Sequence, residues 1–249
     1  MDSPFSLAGK TALVTGSSRG IGRAVAFALG RAGASVVFHG ASDSPALRAA
    51  VDEAREEGIA ARALAGDLGS SEGVARVAAE AGSPDILVLN ASVQSYGRIE
   101  DFDESEFDRM VRTNLRSSFL LVHLLGPRMA EKGWGRIVSI GSVNQGHPAP
   151  RLAIYASTKA AQKALMLTAA KEWAARGVTV NTVTPGVIAT DRNAKVLSDP
   201  SFAEPLRESI PAKRFGSAED CAGIVLALCS GACAYVTGAD VAVDGGMSL

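Results

Sequence analysis

The sequence predicts an α/β fold, a doubly wound seven-stranded parallel sheet with helices on both faces, in a single domain. Three observations predict it. Short apolar runs alternate with helix-length segments along all 249 residues. Several of those runs are continuously apolar rather than alternating, as strands covered on both faces are. No repeat, low-complexity tract or Pro/Ser-rich linker interrupts the alternation, and the length fits one α/β unit better than two small ones.

In chain order, strands are expected at Thr11–Thr15, Ser35–His39, Ala60–Ala65, Ile86–Leu89, Arg136–Ile140, Thr179–Val183 and Val241–Val243. Helices are expected near 21–32, 45–57, 71–81, 104–131, 152–176 and 217–229. Asp103 with Glu106, and Ser217 with Asp220, have the spacing of capping boxes. Gly177 stands where a helix ending at 176 wants a left-handed residue. The stretch 186–216 is the least regular, and a connection that long is expected to form a lid, over about 187–215. Ligands of such sheets sit beyond the carboxyl ends of the strands, so chemistry is sought there.

Composition narrows the function classes. The chain is 47% hydrophobic and 20% charged, enough for a large core and unlike a disordered chain. A net charge of -1 offers no footprint for nucleic acid or an anionic membrane. No apolar run approaches the ~20 residues that span a bilayer. Met1-Asp2-Ser3-Pro4 lacks the basic and apolar regions of a signal peptide, so a soluble cytoplasmic protein is expected. Cys221, Cys229 and Cys233 lie among Ala, Leu and Val with no completing ligand. They read as buried thiols, with no metal site or disulfide expected.

Leu13-Val14-Thr15-Gly16-Ser17-Ser18-Arg19-Gly20-Ile21-Gly22 places three glycines where the first strand turns into the first helix. Gly16 and Gly20 allow a tight turn and close backbone approach to a pyrophosphate, which then faces free N–H groups at the helix start. Glycines also end strands for structural reasons alone, so the turn gains meaning from its place at the first βα junction.

Thr15-Gly16-x-x-x-Gly20-Ile21-Gly22, Asn114, Ser142, Tyr155-x-x-x-Lys159 and Pro185-Gly186 occur in an order that resembles the short-chain dehydrogenases/reductases. The similarity runs from Gly9-Lys10 to Val243-Asp244-Gly245-Gly246. It implies a Rossmann-type domain and hydride transfer between a nicotinamide cofactor and a small carbonyl or secondary alcohol. It also implies that Asp67-Leu68 contacts adenine, although Asp67 between Gly66 and Ser70 also suits a turn. Thr190, in Pro185-Gly186-Val187-Ile188-Ala189-Thr190, resembles the hydroxyl that meets the carboxamide, or else it stabilises its own loop. Asn90-Ala91 match the motif after the fourth strand, but Ser92 stands where the family commonly has Gly.

Tyr155 and Lys159, four residues apart, share one helix face. Tyrosine is a poor base at neutral pH, with a pKa near ~10, and a close ammonium favours its phenolate. Tyr155 would then exchange the proton of the alcohol. Ser142, thirteen residues earlier, would hold the substrate oxygen, since no His or acid is placed to make it a nucleophile. Ser139 reads as a buried strand hydroxyl. Asn114 is poorly placed in a helix unless its amide has a task, and the resemblance gives it a water linked to Lys159. The same resemblance brings Lys159 to the nicotinamide ribose. His39, His123 and His147 read as loop or core residues.

NADP is expected rather than NAD. An NAD enzyme usually carries an acid about 20 residues past the turn, at the end of the second strand. Here that end reads Phe38-His39-Gly40-Ala41-Ser42, with Gly40 where the acid would be. Arg19 would meet the 2′-phosphate, with Ser42 donating a hydrogen bond. Against this stand Asp43, within reach of the ribose if the loop shifts, and the reading of Arg19 as a solvated charge.

Two substrate classes compete within the resemblance: a 3-oxoacyl thioester (carrier-protein) reductase is expected first, with a sugar or polyol dehydrogenase as the alternative. Lys132, Lys171 and Arg176 would suit an acidic carrier protein or be plain solvated charges. Enoyl reductases fit less well because they space Tyr and Lys more widely. A non-catalytic nucleotide sensor is the alternative of another class. Apolar residues on several faces of 152–176 (Leu165, Met166, Leu167, Trp173) and of 104–131 (Phe119, Leu120, Leu121, Leu124, Leu125) predict a homotetramer.

Overall fold

The computed structural model describes residues 3–249; Met1 and Asp2 of the N-terminal segment lie outside the described residues. Seven strands, β1 (Thr11–Val14), β2 (Ser35–Gly40), β3 (Ala61–Ala65), β4 (Ile86–Leu89), β5 (Gly135–Ile140), β6 (Val178–Pro185) and β7 (Asp240–Val243), form one sheet in the order β3-β2-β1-β4-β5-β6-β7. Every neighbouring pair is parallel. The strand order reverses between β1 and β4, and the carboxyl ends there flank an open crevice.

The helices are α1 (Gly20–Arg31), α2 (Pro45–Glu56), α3 (Ser71–Ala81), α4 (Glu104–Met110), α5 (Ser117–Lys132), α6 (Ala153–Trp173), α7 (Asp191–Leu197), α8 (Pro200–Ser209) and α9 (Ala218–Cys229). Side-chain alternation divides the core into two layers. Ala12 and Val14 of β1 join Val25, Leu29 and Val225 of α1 and α9 on one face. Leu13 joins Val77, Leu121 and Met166 on the other. Each such fully buried Val, Leu or Met contributes about 1.5–3 kcal/mol of burial. Close approach of α5 and α6 depends on Gly126, where an added Cβ would lie 2.2 Å from the Trp173 ring.

Several boundaries differ from expectation for local reasons. The 104–131 helix is interrupted by a π-helical segment, Val111–Arg116, that contains Asn114. The extra residue per turn lets the buried Asn114 amide reach the backbone of Val93, and such widened turns often mark functional positions. The stretch 187–215 holds two short helices, α7 and α8, where irregular chain was expected. Ser217 and Asp220 form the full reciprocal cap (3.2 and 2.8 Å). Asp103 accepts from Glu106 N (2.9 Å), but the Glu106 carboxylate turns to Arg109 and Ser95 instead of returning. Gly177 closes the α6 end at φ 75°, as expected.

Cys221 and Cys229 are buried, and burial pushes both thiols up to about 12, whereas Cys233 is only half-buried. Among the described residues no helix is long and apolar enough to cross a membrane.

Candidate active site

The carboxyl ends of β1, β4, β5 and β6 open on one cleft of about 1710 Å³. Its first wall is the turn after β1. Thr15 Oγ1 donates to Val88 O (3.1 Å) and accepts from the backbone N–H groups of Asn90 (2.9 Å) and Ala91 (3.0 Å). Asn90 Nδ2 donates to the carbonyls of Thr15 (2.9 Å) and Gly16 (3.0 Å). These bonds join the β4 loop to the glycine turn. Gly16 has φ 64°, a left-handed conformation that favours glycine. A Cβ on Gly22 would lie 2.4 Å from both Asn90 Nδ2 and Gly16 O, so that glycine is needed for packing under the turn.

His39 completes this support. The ring is buried, its Nδ1 accepts from Gly16 N (3.1 Å), and its Nε2 lies 2.9 Å from Gly66 O. That network assigns the neutral Nε2–H tautomer, which donates to Gly66 O. Burial pushes the imidazole below its ordinary value, with the Gly66 carbonyl and Asp67 acting the other way. Reading His39 as a core residue therefore missed its hold on the turn. The available signal was its position at the end of β2, beside Gly40.

Of the residues expected at the cofactor, Gly16, Ser18, Arg19, Gly20, Ile21, Asp67, Leu68, Asn90 and Ala91 line the cleft, as do Pro185, Gly186, Ile188 and Thr190. Gly22 and Ser42 do not. Ser42 is exposed, and its carbonyl accepts from Ser44 N (2.9 Å). Asp43 pairs with Arg48 at 3.0 Å, which ties down the acid that could have reached the ribose. Asp67 accepts from Gly69 N (2.9 Å), so it serves the turn as well as facing the cleft.

Ser142, Tyr155 and Lys159 stand together on the opposite wall. Ser142 follows β5, and its Oγ accepts from Asn144 N (3.2 Å). Lys159 is 1% exposed; its Nζ donates to Ile140 O (2.6 Å) and Gln162 Oε1 (3.2 Å) and lies 5.9 Å from the Tyr155 ring centroid. Burial, together with the smaller effect of the Arg192 charge, pushes the Lys159 ammonium down to about 7. Burial also raises the Tyr155 phenol, against the charge of Arg192 and a hydrogen bond with Ser142. The expected lowering of Tyr155 by Lys159 is thus not what the protein produces by itself, because burial dominates both groups.

Asn114 lies off the cleft wall and is fully buried. Its Oδ1 accepts from Val93 N (2.8 Å) and its Nδ2 donates to Val93 O (2.9 Å) and Thr158 Oγ1 (3.2 Å), so both ends of the amide are engaged. Side chains absent from the sequence reading also join Asn114 to Lys159. Gln162 Nε2 donates to Ser118 Oγ (2.7 Å), and Ser118 Oγ donates to Asn114 O (2.9 Å). Gln162 was detectable in principle, three residues after Lys159 on the same helix face. Ser139 meets Thr182 at 2.9 Å as a buried strand hydroxyl.

A family model described as enoyl-(acyl carrier protein) reductase matches residues 16–248. The curated gluconate 5-dehydrogenase of Gluconobacter oxydans is 34% identical over 249 residues, spanning 98% of this chain and 97% of that protein. A solved 3-oxoacyl (acyl-carrier-protein) reductase from Agrobacterium tumefaciens C58, with NADP bound, is 37% identical at a TM-score of 0.94, covering 99% and 97% of the two chains. A gluconate 5-dehydrogenase from Burkholderia cenocepacia J2315, in complex with NADP and tartrate, is 32% identical at a TM-score of 0.93, covering 98% and 97%. The fold and the cleft define an NAD(P)-dependent oxidoreductase. More narrowly, the chain belongs to the short-chain dehydrogenase/reductase family.

Proposed function

We propose that residues 1–249 form one catalytic domain that moves a hydride between NADP and a small ketone or secondary alcohol, with 187–215 as the substrate lid. The observation that carries this reading is the placing of Ser142, Tyr155 and Lys159 on one cleft wall facing the glycine turn. The residues fit a dinucleotide. Gly16 and Gly20, at φ 64° and 58°, bring bare backbone to the cleft lining, Arg19 lines the cleft without an ion pair among the described residues, and no acid stands at Gly40. NADP bound in two solved relatives supports the same choice.

NADPH supplies the hydride when bound. Ser142 holds the substrate oxygen by a hydrogen bond and Tyr155 gives its hydroxyl proton to that oxygen as the alcohol forms. Lys159, held by Ile140 O and Gln162, sets the charge beside the phenol. The reverse direction uses the same groups with Tyr155 as proton acceptor. The test is an NADPH-oxidation screen across β-keto thioesters, sugars, diketones and simple ketones. NADPH binding with no turnover anywhere would favour the nucleotide sensor and remove this reading.

Two substrate classes are represented among the relatives, 3-oxoacyl thioesters and gluconate. The carrier-protein reading loses one support, since Lys132 is spent on Ser83 O (2.8 Å) and Asp85 (3.4 Å). We place the enzyme in the cytoplasm as a homotetramer. Supporting assembly, Phe107, Phe119 and Leu167 on α4, α5 and α6 are 49%, 49% and 38% exposed. Phe107 also lines an apolar hollow with Ile99, Phe102, Leu115 and Ile154. Light scattering should report four copies, and a monomer at all working concentrations removes this part.

A further inference from the structure

Five arginines line the catalytic cleft: Arg19, Arg109, Arg112, Arg151 and Arg192. They are not equivalent. Arg109 is neutralised by Glu106 at 2.8 Å and Arg112 by Asp108 at 3.0 Å. Arg19 sits in the glycine turn, where the cofactor phosphate is placed above. Arg151 and Arg192 have no ion pair among the described residues. Of the acids that line the cleft, Asp67, at the adenosine end, accepts from Gly69 N and Asp199 accepts from Ser201 N (3.0 Å), each within a local turn. Asp191, next in the chain to Arg192, forms no ion pair with it.

Arg192 reaches across the cleft from α7 to the loop after β4. Its Nη1 donates to Ser92 Oγ (3.0 Å) and its Nη2 to Ser92 O (2.7 Å), two neutral acceptors. The guanidinium stands close enough to the reacting groups for its charge to act on both Tyr155 and Lys159. Arg151 is four residues ahead of Tyr155 at φ 68°, a backbone conformation that glycine would hold without strain. Its carbonyl accepts from Gly97 N (3.0 Å), which pins the strained loop to the same wall.

We infer that Arg192 receives an oxyanion, a carboxylate or a phosphate, at one end of a small substrate whose reacting carbon lies at Tyr155, with Arg151 a second unpaired cation on the cleft lining. The inference rests on the reading of the cleft as a ketone and alcohol site, and it names the substrate class. A guanidinium presents a planar fork that fits an oxyanion with two parallel bonds. Exchanging the neutral Ser92 acceptors for a charged one strengthens both bonds, while Ser92 holds the fork extended beforehand. A guanidinium that is bonded only to neutral acceptors and acts on both reacting groups disfavours a neutral ketone and favours a hydroxy acid or a sugar phosphate.

The test uses three six-carbon polyols that differ only at C1: D-gluconate, D-glucitol 1-phosphate and D-glucitol. With NADP and the intact enzyme, one charged compound should exceed glucitol at least 100-fold in kcat/KM, and which one does so identifies the anion. Arg192→Gln should cut that preference at least tenfold, mostly through KM, and Arg192→Lys should restore part of it. Glucitol turned over as well as both charged compounds, or a preference unchanged by Arg192→Gln, overturns the inference. A raised NADPH Kd with unchanged preference also overturns it and assigns Arg192 to the cofactor. If none of the three is oxidised, gluconate and inorganic phosphate are titrated calorimetrically into the NADP-saturated protein. Arg192-dependent binding then supports the anion site apart from the reaction, and no binding overturns it. A neutral ketone or thioester reduced in the screen without any anion preference leaves the oxidoreductase reading intact and removes this one.

Discussion

At the β1–β2–β3 end, the cleft wall is backbone locked by buried partners; at the α7 end, it is exposed side chain reaching over open space. Gly16 is fixed from two sides, by Asn90 Nδ2 and by His39 Nδ1. Arg192, by contrast, is exposed, and among the described residues its guanidinium bonds to Ser92. The difference separates two tasks. A cofactor common to every turnover suits a rigid cradle, because positions fixed before binding lose little entropy when it arrives. A substrate that must enter and leave each time suits a wall whose contacts can be exchanged. Tyr155 and Lys159 lie between the two ends and share the rigidity of the first, buried on α6 with partners from β5.

If the rigid centre carries the chemistry, the largest effect belongs there. Tyr155→Phe keeps the ring and its packing and removes the hydroxyl. Turnover should fall about 10³-fold, the scale of a lost proton donor, while NADPH binding stays close to wild type. The measurement is kcat beside a fluorescence titration of NADPH. More than a tenth of wild-type turnover would take Tyr155 out of the reaction.

A smaller effect tests the adenosine end of the rigid wall. The enzyme should prefer NADP over NAD in kcat/KM, and Arg19→Ala should lower that ratio about tenfold, the worth of roughly 1.4 kcal/mol. Gly40→Asp should push it further toward NAD by placing a carboxylate beside the 2′-phosphate. Some strain accompanies that change, since the new Cβ would lie 3.2 Å from Ser42 O. A wild-type preference for NAD, or a ratio that Arg19→Ala leaves alone, would defeat the charge argument at this end.

The same contrast explains what could be read from the chain. Strand runs, the glycine turn and the Tyr155–Lys159 spacing are local patterns, and each stands in the structure as a strand, a turn or a helix face. Contacts between distant segments were not legible. His39 meets Gly16 and Gly66, 23 and 27 residues away in sequence. Gln162 meets Ser118 across 44 residues, and Arg192 meets Ser92 across 100. Nothing in the pattern around Arg192 distinguishes it from a solvated charge until the fold brings Ser92 opposite. The π segment around Asn114 was hidden likewise, because its widened turn answers to Val93, 21 residues earlier. Gly40 was informative for the opposite reason: a missing acid at a fixed place needs no partner to be noticed.

The smallest effect concerns pH and the lock on the glycine turn. His39 is neutral in the fold, with burial holding it below the ordinary 6.5. Its contribution is therefore complete above pH 6.5. As pH falls through that value, the unfolded chain takes up a proton that the folded chain resists, and stability declines until pH passes the depressed folded value. A protonated Nδ1 would also point its hydrogen at Gly16 N–H and break the bond that shapes the turn. NADPH affinity should accordingly weaken several-fold between pH 7 and 5. His39→Gln can keep both bonds, its Oε1 accepting from Gly16 N and its Nε2 donating to Gly66 O, without titrating. In that variant the acid limb should flatten. Because a phosphate monoester itself titrates near pH ~6, the comparison is repeated with NADH, which lacks the 2′-phosphate. Asp67 is the charged group acting on the ring. An acid limb for NADH as steep in His39→Gln as in wild type would take the imidazole out of this pH dependence, and the bond from Gly16 N to His39 would then not be what acid weakens.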